Sequence, residues 1–82
     1  MDPLQFTRIA KALADPRRFE ILEMIAAEDE VACKRMVERF PVAQATISHH
    51  LKELATAGLI QARREGQSGH YRVCPWVLEG YA

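Results

Sequence analysis

Eighty-two residues, 49% hydrophobic and 27% charged, have the balance of an ordinary globular domain, and a core of this size only just offsets the entropy of ordering the chain. That length excludes a second domain, and two cysteines 41 positions apart are too few for a secreted disulfide scaffold. Eleven Lys/Arg balance eleven Asp/Glu, so the broad basic footprint of many nucleic-acid binders is missing.

Phe6, Ile9, Ala10 and Leu13 recur at helical spacing and predict an amphipathic first helix over 4–13. Asp15-Pro16 ends it and begins a second, with Asp15 as N-cap and Pro16 at the first helical position, where a missing N–H costs nothing. The second helix runs to about Ala26, and its apolar residues Phe19, Ile21, Leu22, Met24 and Ile25 cover more than one stripe, as suits a helix touched from several sides. Glu28-Asp29-Glu30 reads as a solvated link. Cys33, Met36, Val37 and Phe40 predict a short third helix that Pro41 stops, because proline disfavours helical geometry in the residue before it. From Ala43 to Ala57 the pattern is helical again, with Ile47, Leu51 and Leu54 as an inner stripe and Gly58 closing the helix. The segments 59–64 and 70–74 show partly alternating polarity on either side of a glycine-bounded stretch, 65–69, which predicts a hairpin. Pro75 opens a last segment, Trp76 to Ala82, that reads as the start of a helix.

Short helix, tight turn, longer helix and basic two-stranded ribbon follow one another in the order of a winged helix-turn-helix. The expected fold is therefore mainly α with a small β-hairpin, α-α-α-α-β-β and the start of a last helix. It is one domain over 1–82, with the helix-turn-helix at 32–57 and the wing at 59–74. The charge is unevenly placed along this frame. Residues 1–41 carry seven Lys/Arg and eight Asp/Glu, whereas 42–73 carry Lys52, Arg63, Arg64 and Arg72 against Glu53 and Glu65 alone.

Opposite the inner stripe of the fourth helix lie Ala45, His49, Lys52 and Thr56, with Thr46 and Ser48 on the flanks and Gln44 at the tip. These are short donors and acceptors with one cation. Gln can contact adenine edges, Ser and Thr can contact bases or phosphates, Ala can meet a thymine methyl, and Lys can reach guanine or phosphate. A polar outer face belongs to any surface helix, but this one contains a single acid, Glu53, and lies beside a ribbon with Arg63, Arg64, His70 and Arg72, which suit phosphates or the minor groove. The expected ligand is double-stranded DNA. His50, at the border of the stripe, reads as a hydrogen-bonded core residue.

No apolar run approaches the roughly 20 residues that span a bilayer, and Met1-Asp2-Pro3-Leu4 lacks the basic start and apolar stretch of a signal peptide. The expectation is a cytoplasmic chain with no membrane partner. There is no glycine-rich phosphate loop and no Ser/His/Asp set at a suitable turn, so neither catalysis nor a cofactor is expected. Cys33, Cys74, His49, His50 and His70 do not supply about four ligands at zinc spacing. Each cysteine reads as a packed hydrophobe, with a redox pair as the alternative.

The stretch from Gln44 to Ile60, Gln-Ala-Thr-Ile-Ser-His-His-Leu-Lys-Glu-Leu-Ala-Thr-Ala-Gly-Leu-Ile, closely resembles the recognition helix of the ArsR/SmtB family of bacterial repressors. Lys11 to Leu22, Lys-Ala-Leu-Ala-Asp-Pro-Arg-Arg-Phe-Glu-Ile-Leu, resembles that family's junction between first and second helices. The resemblance spans nearly the whole chain. It implies a homodimer built from the first and last helices (1–14 and 75–82), a palindromic operator and release by an inducer. Gln44, Thr46, Ser48 and His49 match its DNA-contacting positions, and Arg63 to Arg72 occupy its wing. The chain departs from the metal-sensing members, whose paired third-helix thiolates are matched here by Ala32 and Lys34 with Cys33 between, so the effector is open. Ala43 stands where a serine commonly caps the recognition helix. Pairing of two chains is expected through Leu4, Phe6, Ile9, Leu13, Trp76 and Leu78. The competing reading is a winged-helix module for protein contact without DNA.

Overall fold

Two Asp-Pro steps set where the first two helices begin in the computed structural model, which describes residues 2–66 and 68–75. Helix α1 (Pro3–Ala14) starts where Asp2 Oδ1 accepts from the backbone N–H groups of Leu4, 2.8 Å, and Gln5, 3.1 Å. Helix α2 (Pro16–Ala27) starts where Asp15 Oδ1 accepts from the Arg18 N–H at 3.0 Å. Each carboxylate satisfies donors that have no partner inside the helix. The first helix thus begins one residue before the periodicity places it, at a cap the apolar pattern cannot register.

After α2 a two-residue strand, β1 (Val31–Ala32), leads into α3 (Cys33–Arg39). The helix ends where Phe40 N–H donates to Met36 O, and Val42 N–H closes a turn around Pro41 onto Phe40 O at 2.9 Å. Phe40 is buried, with the guanidinium groups of Arg17 and Arg39 at 5.3 Å and 5.0 Å from its ring centroid. The Arg17 contact ties the turn to the start of α2.

Helix α4 (Gln44–Thr56) ends in a Schellman motif. Leu59 N–H donates to Leu54 O and Gly58 N–H to Ala55 O, both at 3.0 Å, with Gly58 at φ 81° and Leu54 and Leu59 both fully buried. Only a residue without Cβ takes that backbone conformation cheaply. Strands β2 (Ile60–Glu65) and β3 (Ser68–Val73) form the wing, and β1 adds to the other side of β3, giving a three-stranded antiparallel sheet in the order β1-β3-β2.

The sheet corrects the expected two-stranded ribbon. Two residues are too few to show alternation, and β1 exists because Val31 pairs with Tyr71 and Ala32 with His70. The wing strands also reach further than expected, since Glu65 pairs with Ser68 and Arg64 with Gly69. Gly66 carries the turn at φ 61°.

One core joins the layers: Ile9 and Ala12 from α1, Ile21, Leu22 and Ile25 from α2, Val31, Met36, Phe40, Ile47, Leu51, Leu54, Leu59 and Ile60. Ile9 is completely buried inside its own chain, so its side chain is not available for the expected contact between two copies. Leu13 packs against the core, while Leu4 and Phe6 are exposed. Trp76 and Leu78 lie outside the described residues. Phe19 is 42% exposed rather than core, because the inner side of α2 is already filled by Ile21, Leu22 and Ile25.

No side chain caps α4, since its N-cap is Ala43. Ala43→Ser should therefore stabilise the fold by about 1 kcal/mol, read as a raised midpoint in urea unfolding with an unchanged slope.

Candidate nucleic-acid interface

Helix α4 divides into two faces. Ile47, His50, Leu51 and Leu54 are buried against the core, whereas Gln44, Ala45, Thr46, Ser48, His49 and Lys52 are all exposed. Among the described residues, no hydrogen bond or ion pair within the chain engages the polar side chains of that outer face. Donors and acceptors of several kinds are thereby left for an external ligand, with Glu53 half-buried to one side.

The inner face is fixed by a polar contact as well as by packing. Asp15 caps α2 through the Arg18 N–H, and the Arg18 side chain crosses to α4, where its Nε donates to His50 Nδ1 at 3.3 Å. Arg18 Nη1 also donates to Lys11 O at 3.5 Å, at the end of α1. An imidazole accepting at Nδ1 is the neutral tautomer with its proton on Nε2. Burial pushes the His50 pKa down, the Asp15 charge opposes this, and Arg18, His49 and Arg17 add to it. The hydrogen bond from the Arg18 N–H holds the Asp15 carboxyl below its usual range. His50 is thus a core residue, as its place in the sequence suggested, and it locks α4 to the α1–α2 junction.

Strand alternation splits the basic residues of the wing into two sets. Cross-strand partners share a face of a sheet, and Arg63 pairs with His70 and Gln61 with Arg72, while Arg64 pairs with Gly69 and Ala62 with Tyr71. The face of Arg64 continues from the core side, where Ile60 and Val31 are buried and Val73 and Tyr71 are half-buried. Gly69, with Ser68 at the end of β3, shares a cleft with Cys33, Lys34 and Gln44. By alternation Arg64 therefore shares the side of the sheet that packs on the helices, and Arg63, His70 and Arg72 lie on the outer face.

The outer set meets acid. Arg63 donates from Nε and Nη2 to the two oxygens of Glu30, at 3.2 Å and 2.5 Å, and from Nη1 to Glu65 at 2.9 Å. His70 Nδ1 lies 3.6 Å from the same Glu30 carboxylate. The hydrogen bond from Arg63 lowers the Glu30 pKa, and Arg63, His70 and Arg72 add attraction; Glu30 and Glu65 raise that of Arg63. Glu28 is paired with Arg35. The acidic link expected to be solvated is in large part an ion-pairing segment.

Spacing gave no signal for Glu30, because a carboxylate 33 positions from its arginine is brought there only by the β1–β3 pairing. Lys34 was likewise unforeseen as a neighbour of Gln44. Burial raises the pKa of both Cys33 and Cys74, keeping each as the thiol. Among the described residues no group of three His, Cys, Asp or Glu side chains is placed to hold a metal ion, and no helix is long and apolar enough to cross a membrane.

A family model described as a helix-turn-helix domain matches residues 13–61. The chain is 35% identical over 69 residues to an arsenical resistance operon repressor of Staphylococcus xylosus, covering 84% of this chain and 65% of the relative. It is 32% identical over 75 residues to an arsenical resistance operon repressor of Staphylococcus aureus, covering 92% and 71%. In three dimensions it is similar to the homodimeric winged helix-turn-helix DNA-binding domain of a possible ArsR-family transcriptional regulator from Mycobacterium bovis, with a TM-score of 0.82, 35% identity, and coverage of 94% of this chain and 71% of that one.

Because its folded-state pKa is depressed, His50 contributes stability that is fully present above its ordinary value of 6.5 and declines as pH falls below it, where the unfolded chain takes up the proton first. Thermal unfolding should show a lower midpoint at mildly acidic pH than at neutral pH. His50→Gln, which keeps an acceptor for Arg18, should shrink that difference; an unchanged difference would show that other groups cause it.

Proposed function

The chain belongs to the ArsR family of winged helix-turn-helix transcriptional regulators, and on that premise we propose that it is a dimeric cytoplasmic repressor whose α4 enters the major groove of a palindromic operator. It spans 65% of the first staphylococcal relative's length. The observation that carries the reading is the pairing of two surfaces: the unengaged polar face of α4 and Arg64 on the side of the sheet that packs on the helices. Gln44, Ala45, Thr46, Ser48 and His49 have the chemistry to meet base edges, and Lys52 a base edge or phosphate. Arg64 supplies backbone attraction beside them. Leu4, 60% exposed on α1, belongs to the surface through which two copies pair. With Ala32 and Lys34 in place of a thiolate pair, the effector is of another kind than a thiolate-bound metal.

Mobility-shift titrations against a duplex from the protein's own promoter region test this. Gln44→Ala should relax discrimination at one base position by about 1–3 kcal/mol. Arg64→Ala should weaken all duplexes alike and flatten the salt dependence by about one phosphate contact. Binding that ignores salt would instead fit a protein-contact module.

Sedimentation velocity at micromolar concentration should show a dimer, and Leu4→Asp should shift it toward monomer. A wild-type monomer under those conditions contradicts the dimeric reading.

A further inference from the structure

Arg63 and Arg64 are neighbours in sequence with opposite situations. Arg64 is exposed on the side of the sheet that packs on the helices, while both forks of the Arg63 guanidinium are taken by carboxylates. Two parallel N–H···O bonds from one guanidinium to two oxygens are also the geometry by which arginine grips a phosphate. Glu30 thus fills, from within the chain, the place a backbone phosphate would take. Its position is set by the strand that follows it, because Val31 is fully buried and paired with Tyr71. The Glu65 bond is of a different kind, made by a carboxylate that is 68% exposed on the same strand as Arg63.

We propose that Glu30 is a specificity-determining residue, a built-in phosphate mimic that withholds Arg63 from DNA. The inference rests on the DNA-binding reading and deepens it. Each arginine that reaches a phosphate adds attraction to every duplex regardless of sequence, steepening the salt dependence by about 0.9 per contact. Holding one such residue back leaves the α4 face a larger share of total binding, which widens the gap between operator and bulk DNA. Glu30 also offsets part of the positive charge on the outer face of the wing. His70, 3.6 Å from the same carboxylate, and Arg72, whose charge also acts on Glu30, are drawn toward the same site.

The test measures affinity for a random-sequence duplex across a salt series, using the wild-type chain, R63Q, E30Q and the double variant E30Q/R63Q. R63Q should leave the salt slope at the wild-type value, because Arg63 is already engaged. E30Q should steepen it by about one and tighten binding roughly fivefold at physiological salt. The double variant should return to wild type, which separates release of Arg63 from the mere loss of a negative charge. A wild-type slope that already falls in R63Q overturns the inference, as does an E30Q gain that survives in the double variant. The R63Q comparison does not depend on the folding of E30Q. A wild-type chain that retards no duplex at all overturns the DNA-binding reading itself, and is thereby distinguished from failure of the Glu30 inference alone.

Discussion

Everything on the outer surface of α4 follows from how its inner surface is held. Ile47 and Leu54 are fully buried, Leu51 nearly so, and His50 is fixed between them by the Arg18 side chain. Burying each of those aliphatic side chains contributes about 1.5–3 kcal/mol, so rotating the helix to hide its polar face would forfeit several such terms. It would also strand Arg18 and His50 without each other. The helix accordingly has one stable azimuth, and Gln44, Thr46, Ser48, His49 and Lys52 face solvent in that azimuth. The Schellman motif at Gly58 then sends the chain directly into β2, which fixes the wing relative to the helix.

Alternation does for the wing what helical periodicity does for α4. A strand presents successive side chains to opposite faces, so consecutive arginines leave the strand in different surroundings. Arg64 is on the side of the sheet that packs on the helices, and Arg63 faces the acidic segment. The basic character of residues 42–73 is thus divided between outward attraction and internal pairing, which the neutral total charge conceals. The Asp15–Arg18–His50 chain repeats the theme on a smaller scale, with a helix cap, a cation and a neutral imidazole connecting three helices.

Most of the fold was legible because its signals are local. Asp15-Pro16, Pro41 and Gly58 mark helix boundaries by mechanisms confined to a few residues, and the stripe Ile47, Leu51, Leu54 names the inner face without reference to any other element. The place of His50 was legible for the same reason. What escaped was non-local. Strand β1 is two residues long and exists only through its partner β3, and Glu30 gains its arginine only through that pairing. Ile9 shows the limit of periodicity in another way. The pattern says that it lies on an apolar face, but whether that face packs within the chain or against a second copy depends on what the rest of the core can cover.

The central claim is that the exposed face of α4, with Arg64 beside it, is where DNA lies. Amide and side-chain chemical shifts of the labelled protein, followed by NMR as duplex is added, test it most directly. The account predicts perturbations concentrated at Gln44, Thr46, Ser48, His49, Lys52 and Arg64. Perturbations confined to the exposed side of α1 and α2, with those six residues unmoved, would contradict it.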